Sequence, residues 1–382
     1  MLLVLDESLV AAIPLQREVT EDIREALDII GDQIYFGRHA LFAPQRILSH
    51  LLMVNGWSRR LIQVLKSARD HYSERQRLFS AINLVGNIHV TAIPNPSRRM
   101  VGNRAWIDIP LAWIDRPEKL NSTVVLGENL DDVAVYDCIT KAMIPRDFQR
   151  AFPISMERGP GGGGNIGQVF DGYVNSHRNV LCFVDSDYKY AGGPIKDTAR
   201  QIQDRFTDGG PALAAWSRTR GRDLENTLPD AFYVTRISGD ANKRAAVNSL
   251  ESLSIAGELE LRYLIDLCDG HKLADLFSLN PNNPERTYWI PRINDLMARQ
   301  TRDISQLPCL AANTCANVTR AEGCTCLIFP GFGKSLGAFV QYCSSTPLSQ
   351  VRGQLSSAQA EEWQEVAELI FDWCCANRAK QV

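Results

Sequence analysis

Acidic residues follow two apolar stretches in the middle of the sequence. Val124-Val-Leu-Gly-Glu128 is followed by Asp132, and Leu181-Cys-Phe-Val-Asp-Ser-Asp187 ends in a pair of acids. Side chains two apart in an extended segment point the same way, so Asp185 and Asp187 can address one point. Carboxylates gathered at one point repel each other unless a cation is present, and oxygen ligands suit Mg²⁺ or Mn²⁺. The pattern therefore predicts a divalent metal site.

The segments around these acids alternate between strand and helix patterns. Strands are predicted at 123–126, 154–156 and 179–184, and helices at 131–143, 166–177 and 195–206. This order predicts an α/β domain with a mainly parallel sheet flanked by helices. Functional groups in such sheets gather at the carboxyl ends of the strands. If the first and third strands adjoin, Glu128 and the Asp pair converge.

The acidic pattern resembles that of Toprim domains, which occur in topoisomerases, primases, a ribosomal-RNA maturase and the OLD-type nucleases. Two further segments resemble the OLD-type and related phage-defence nucleases: the Gly-rich segment 159–164 and Glu225-Asn-Thr-Leu228. Asp269-Gly-His-Lys272 resembles a later Gly-x-Lys element of that group. One departure is that Glu128 is followed by Asn129, where the family usually has Glu-Gly. The resemblance covers the central region and not its flanks.

The resemblance implies metal-assisted phosphodiester hydrolysis. It implies that the metal ligands are the carboxylates of Glu128, Asp132, Asp185, Asp187 and Glu225. Glu128 is a ligand or the general base under this interpretation, with Asp132 in support. Two metal ions can activate the attacking water and stabilise the leaving oxygen. Lys272 is the candidate for neutralising the transition-state charge, although it is also typical of a solvated surface lysine.

Three arginines alternate just before Glu225, at Arg218, Arg220 and Arg222. In an extended segment they share one face, which suits phosphate oxygens. The alternative is a solvated charged loop. The whole chain carries a formal charge of -3, so a nucleic-acid-binding surface has to be a local patch.

Four cysteines near the C-terminal end have spacing that could supply thiolates to zinc. They are Cys309, Cys315, Cys324 and Cys326. Their spacing lacks the usual Cys-x-x-Cys knuckle, so separate buried thiols are the alternative. The ten cysteines lie in a large chain with no predicted export signal, which favours reduced thiols over a disulfide scaffold.

Three regions are predicted along the 382 residues. Residues 1–118 are expected to form a mostly helical domain for interaction or nucleic-acid positioning. Residues 119–280 are expected to form the Toprim-like catalytic domain, and 281–382 a Cys-containing, partly helical region. No stretch reaches the roughly 18 apolar residues of a membrane span, and the first residues lack the basic start of a signal peptide. We therefore expect a cytoplasmic protein without a membrane partner.

The predicted function is a Mg²⁺- or Mn²⁺-dependent nuclease that cleaves DNA or RNA, as an effector of phage defence. The expected partners are nucleic acid, a separate ATPase, and a second copy of the chain in a homodimer. The ATPase is expected because many OLD-type proteins carry one. One alternative is a topoisomerase-like cleavage subunit, which needs a tyrosine nucleophile; Tyr35 and Tyr72 lie in no recognised motif. Another alternative is a non-catalytic Toprim-fold interaction module, against which the intact acids argue.

Overall fold

The computed structural model describes residues 1–16, 18–235, 259–299 and 326–380, together with positions 244, 246–248, 250, 309, 312, 314 and 315. The chain forms two compact units. The first comprises Met1–Phe183, Gln201–Ser217 and Gln364–Val382, and the second comprises Val184–Arg200 and Arg218–Trp363. The predicted boundaries near residues 118 and 280 are not boundaries of these units.

The first unit begins with a five-stranded mixed sheet in the order β2-β1-β3-β5-β4. Its strands are β1 (Leu2–Leu5), β2 (Ala40–Phe42), β3 (Leu84–His89), β4 (Ser97–Val101) and β5 (Arg104–Pro110). Only β4 runs antiparallel to its neighbour, while the other pairings are parallel. Every residue of β1 is buried, as expected for a central strand with neighbours on both sides and both faces covered.

Five helices accompany this sheet in the sequence: α1 (Ser8–Ala12), α2 (Glu21–Tyr35), α3 (Gln45–Met53), α4 (Arg59–Asp70) and α5 (Tyr72–Ala81). These helices agree with the helical content expected for residues 1–118. The sheet was not expected, so this region is α/β rather than mostly helical. The short strands β1 and β2 are continuous apolar runs, and such runs have no alternation that marks them as strands.

A second sheet in the order β7-β6-β8-β9 follows. Its strands are β6 (Thr123–Gly127), β7 (Met156–Pro160), β8 (Val180–Val184) and β9 (Ala214–Arg218). β6 and β8 are adjacent and parallel, with Val124 opposite Val180 and Leu126 opposite Cys182. The accompanying helices are α6 (Leu130–Met143), α7 (Arg146–Ala151), α8 (Ile166–Asn175) and α9 (Asp197–Asp204). The predicted parallel sheet flanked by helices is confirmed.

The second unit is largely helical in its described part. It contains α10 (Asp230–Val234), α11 (Leu259–Leu264), β10 (Gly270–Lys272), α12 (Leu273–Ser278), α13 (Pro284–Arg299), β11 (Leu327–Pro330), α14 (Leu336–Ser345) and α15 (Leu348–Gly353). The final helix of the chain, α16 (Ser357–Cys374), starts in the second unit and continues from Gln364 in the first. Strands β10 and β11 pair antiparallel. Aromatic rings pack in the core of the second unit, and the ring centroids of Tyr233 and Phe332 are 4.4 Å apart. No helix among the described residues is both long and apolar enough to cross a membrane.

Candidate active site

Glu128 lies in the first unit, directly after β6, in the turn that leads into α6. The backbone N–H of Asn129 donates to Asp132 Oδ2 at 2.8 Å, which is half of a capping box. Gly127 packs so closely that an added Cβ would lie 3.0 Å from the Cβ of Asp132. Burial raises the pKa of Asp132, and the hydrogen bond from Asn129 opposes that rise. Asp132 therefore positions the turn that carries Glu128.

The Gly-rich segment wraps around the backbone of this turn. Gly161 N donates to Gly127 O at 2.7 Å, and Gly163 N donates to Glu128 O at 3.3 Å. A Cβ on Gly161 would lie 2.6 Å from Gly127 O, so no side chain fits there. Gly162 and Gly163 have φ values of 72° and 58°, which only glycine adopts freely. The glycines thus hold the backbone of Glu128 against the end of β6.

The charge of Glu128 reaches β8 within the same unit. The thiol of Cys182, in β8, has a raised pKa, first because it is buried and then because Glu128 is negatively charged. Cys182 lies opposite Leu126, two residues before Glu128. The carboxylate therefore lies near the carboxyl ends of both β6 and β8, where the sequence predicts it.

The Asp185–Asp187 segment belongs to the second unit and is not extended. Asp187 has a φ of 53°, in the left-handed region, and β8 ends at Val184. The backbone N–H of Asp187 donates to Arg222 O at 2.8 Å, and Ser186 N donates to Thr219 Oγ1 at 3.0 Å. Asp187 therefore lacks the extended geometry that the sequence analysis assumed, because the chain turns here to pair with the segment that carries Arg222. That Asp185 and Asp187 address one point stays a prediction.

Four carboxylates of the second unit share one electrostatic environment around Arg222. Asp223 is largely buried, and burial raises its pKa to about 7, assisted by the negative charges of Asp266, Glu225 and Asp187 and opposed by Arg222. Burial also raises the pKa of Asp187, with the same arginine opposing and Asp266 assisting. Arg222 Nη2 donates to Asp266 Oδ2 at 2.7 Å. We call Asp187, Asp223, Glu225 and Asp266 the acidic cluster.

Asp223 and Asp266 are missed by the sequence analysis. Asp223 lies two residues before Glu225, the same spacing as between Asp185 and Asp187, which is a usable signal. Asp266 has no motif around it, and only tertiary structure brings it to Arg222.

The Glu-Asn element owes its rigidity to buried hydrogen bonds. Asn226 is fully buried, and its Nδ2 donates to the carbonyls of Arg262 and Ile265 at 2.8 and 2.9 Å. Arg262 in turn is 2% exposed and reaches Asp230 Oδ1 at 2.7 Å. Glu225 is itself buried, and its carbonyl accepts from Tyr233 Oη at 2.9 Å. This network fixes the backbone from which Glu225 joins the acidic cluster.

The three arginines do not form one row that faces phosphate. Arg222 is bound to Asp266, and the Nη1 atom of Arg220 lies 2.9 Å from Glu361 Oε2. Arg218 stacks over the ring of Tyr188 at 5.4 Å. Their partners differ because β9 ends at Arg218, so the extended geometry assumed for all three stops there. Lys272 ends β10, opposite Leu327.

A cavity of about 320 Å³ opens beside this segment in the second unit. Three tyrosines contribute to its lining, together with Arg220, and the Oη atom of Tyr263 is buried without a hydrogen-bond partner among the described residues. The tyrosines are Tyr188, Tyr190 and Tyr263. Flat rings beside a guanidinium group are suited to stacking against a planar ligand.

The chemistry of the acidic residues fits a hard divalent cation, because every candidate donor is a carboxylate oxygen. Within the described part of the chain, however, no three His, Cys, Asp or Glu side chains are arranged to hold a metal ion. Glu128 belongs to one unit and Asp185 and Asp187 to the other, so a cation shared by the three stays a prediction.

The zinc hypothesis also stays a prediction. Cys324 lies outside the described residues. Cys315 and Cys326 are buried free thiols.

Comparison of the chain with protein-family models, curated proteins and solved structures gave no match. The family resemblance therefore rests on the motifs themselves. What the structure adds is a physical reason for several of them, including the glycines around Glu128 and the buried Asn226 beside Glu225.

Proposed function

We propose that this chain is a metal-dependent nuclease that uses Glu128 together with the acids that follow β8. The observation that carries the proposal is the register of two adjacent parallel strands, in which Leu126 lies opposite Cys182. Glu128 is the first residue after β6, and Asp185 is the first residue after β8. Parallel α/β sheets place functional groups at this end of their strands.

The acidic cluster adds a second line of support. The pKa values of Asp223 and Asp187 are raised, first because both carboxyls are partly buried and then because of neighbouring acids. Arg222 opposes both shifts, and Lys196 and Lys189 also oppose that of Asp187. Under the proposal, Glu128, Asp185, Asp187 and Glu225 hold the cation. A bound Mg²⁺ or Mn²⁺ ion would supply an activated water and neutralise charge at the leaving oxygen.

The protein's own groups take the remaining roles. Asp132 positions Glu128 through the turn at Asn129. Arg222 orients Asp266 and offsets part of the charge of the acidic cluster. Asp223, with a pKa of about 7, can hold or release a proton near neutral pH, as a general acid or base requires.

A nucleic-acid substrate is supported by the cavity beside the acidic cluster. Bases stack on aromatic rings in single-stranded nucleic acids, and three tyrosines line this cavity with Arg220. DNA and RNA both offer such bases. Action in the cytoplasm is also part of the proposal. Phage defence and a partner ATPase are further parts, and these two derive from the motif resemblance.

The test is Asp185→Ala, assayed on plasmid DNA, single-stranded DNA and tRNA with Mg²⁺ or Mn²⁺. We expect cleavage to fall about 100-fold or more, with the melting temperature unchanged or slightly higher because like charge is removed. Asp208→Ala is the matched control, because Asp208 is an exposed acid outside the motifs. A variant that cleaves like the parent would remove the main support for the nuclease function.

The second candidate function is a non-catalytic interaction module with the same motifs. It is favoured by the lack of a three-residue metal-ligand group among the described residues. Calorimetric titration of the parent protein with MgCl₂ and MnCl₂ distinguishes the two. Binding that Asp185→Ala abolishes supports the nuclease, and the absence of any binding supports the module.

A further inference from the structure

A second cavity, of about 580 Å³, lies within the first unit. Residues of α2, α4, α5 and α7 line it, and the segment 377–380 completes the lining. Its volume is within the range of about 300–1,000 Å³ that is typical of small-molecule sites. None of the sequence motifs falls in this cavity, so the proposed nuclease function does not account for it.

Arg75 is the buried charge of this cavity. It is 5% exposed, and its Nη1 donates to Leu41 O at 2.5 Å and to Asn377 Oδ1 at 3.0 Å. Its Nε has no hydrogen-bond partner among the described residues, and none of the described carboxylates forms an ion pair with it. Burial lowers the pKa of Arg75 to about 10, and the negative charge of the exposed Glu74 opposes that change. A buried guanidinium group whose hydrogen bonds all go to neutral acceptors favours an anion beside it.

Three more cations line the cavity, and two of them have neutral partners. Arg378 Nε donates to Arg150 O at 2.6 Å, and Lys380 Nζ donates to Gln63 O at 3.5 Å. Arg150 is the third of these cations. All three side chains belong to exposed residues, so their charges remain available to a ligand.

Each of the two acids in the lining has a basic partner. Asp147 Oδ2 accepts from Arg77 Nη2 at 2.8 Å, and Arg77 is not part of the lining. Glu74 Oε2 lies 3.6 Å from His71 Nδ1. The lining therefore contains four Arg or Lys charges against two acids, a surplus that suits a ligand with more than one negative charge.

We propose that this cavity binds a small organic phosphate of about mononucleotide size. Guanidinium groups match phosphate oxygens in a two-point geometry, so Arg75 and Arg150 are the groups that bind the phosphate. Tyr35 and Phe152 offer apolar ring surface for the organic part. A phosphate monoester, with close to two negative charges, fits the charge surplus better than a carboxylate does.

The experiment is calorimetric titration of the full chain with AMP, ATP and inorganic phosphate at matched ionic strength. We expect AMP or ATP to bind at least tenfold more tightly than inorganic phosphate, and to raise the melting temperature through ligand linkage. Absence of binding by both nucleotides, or equal binding of inorganic phosphate, would overturn the proposal.

Variants locate the site. Arg150→Ala and Lys380→Ala should each weaken nucleotide binding about tenfold, which corresponds to about 1.4 kcal/mol, while both proteins fold, since the residues are exposed. Arg75→Lys keeps the charge but loses the two-point geometry of the guanidinium group, and it should weaken nucleotide binding further. Arg146→Ala is the control, because Arg146 is an exposed arginine on the same helix as Arg150 and outside the lining.

An oligonucleotide is the remaining comparison. If a 20-residue single strand binds in an Arg150-dependent way while AMP and ATP do not, the cavity is part of a nucleic-acid surface and the small-molecule proposal is wrong. If nucleotide binding is unaffected by both Arg150→Ala and Lys380→Ala, the ligand binds elsewhere and the proposal is equally wrong.

Discussion

The two units of this protein handle buried charge in opposite ways. In the second unit, four acids surround Arg222, which forms an ion pair with Asp266 at 2.7 Å. In the first unit, Arg75 is buried among neutral acceptors without a described carboxylate at ion-pair distance. At the Arg222 site the positive charge is too small for its acids, and at the Arg75 site the two acids of the lining are too few for its four Arg and Lys charges. In both sites the surplus points to a ligand of opposite charge.

The difference also predicts unequal sensitivity to mutation. Removing Arg222 would leave four partly buried acids without their cation. Removing Arg75 would take a charge out of a site that does not balance it. Stability measurements on variants at the two sites can therefore test whether buried charge or lost hydrogen bonds determine the change in the free energy of unfolding.

The largest effect is expected for Arg222→Met. We expect the free energy of unfolding to fall by about 3 kcal/mol at pH 8, because breaking a buried ion pair leaves uncompensated charge. The loss should shrink at pH 5, where the pKa of about 7 of Asp223 keeps that acid protonated. Urea unfolding of parent and variant at both pH values measures this loss in the free energy of unfolding. A loss that is equal at the two pH values would mean that lost packing, and not charge, is responsible.

The next effect concerns Asp223 and pH. Its pKa is raised in the folded state to about 7, against about 3.9 in an unfolded chain. Between these values the folded state binds the extra proton, so this group's stabilising contribution is present at pH 4 and is lost as the pH rises to 7.

Asp223→Asn should remove that slope. Relative to the parent, the variant's free energy of unfolding should rise on the order of 2 kcal/mol between pH 4 and pH 7. The measurement is a difference between the two proteins because His271, with a pKa lowered by burial to about 3, contributes the opposite slope in both. Parallel curves for parent and variant would show that Asp223 titrates normally.

A smaller effect is expected for Arg75→Met. The substitution loses hydrogen bonds to Leu41 O and Asn377 Oδ1, but it also removes a buried charge that the site does not balance. We expect a net loss of about 1 kcal/mol in the free energy of unfolding, from chemical denaturation. A loss as large as that of Arg222→Met would show that the two sites do not differ in the way described above.

The smallest effect is expected for Arg150→Ala and Lys380→Ala. Both residues are exposed, so the free energy of unfolding should change by less than about 0.5 kcal/mol without ligand. With AMP present, the parent should gain thermal stability that these variants lack. A large destabilisation without ligand would assign the two cations to the fold rather than to a binding site.

The fold of the central region follows from local patterns to a considerable extent. The apolar runs at β6 and β8 are long enough, and sufficiently bounded by helix patterns, to predict a parallel sheet, and the two strands do adjoin. The first sheet was not predictable in this way. β1 and β2 are short runs without alternation, and their partners lie far along the chain, so that β1 pairs with β3 more than 80 residues later.

The candidate site divides in a similar way. Glu128 and its turn are local, and the sequence alone determined them. The Gly-rich segment was visible as a motif, but the structure shows why Gly161 has to lack a side chain: its backbone touches that of Gly127. The Glu225-Asn226 motif was also visible in the sequence. Tertiary structure alone decided which residues surround these acids. Asp266 and Asp223 gather around Arg222, and Asp187 turns out of the strand, because buried charge is paired through space and not along the chain.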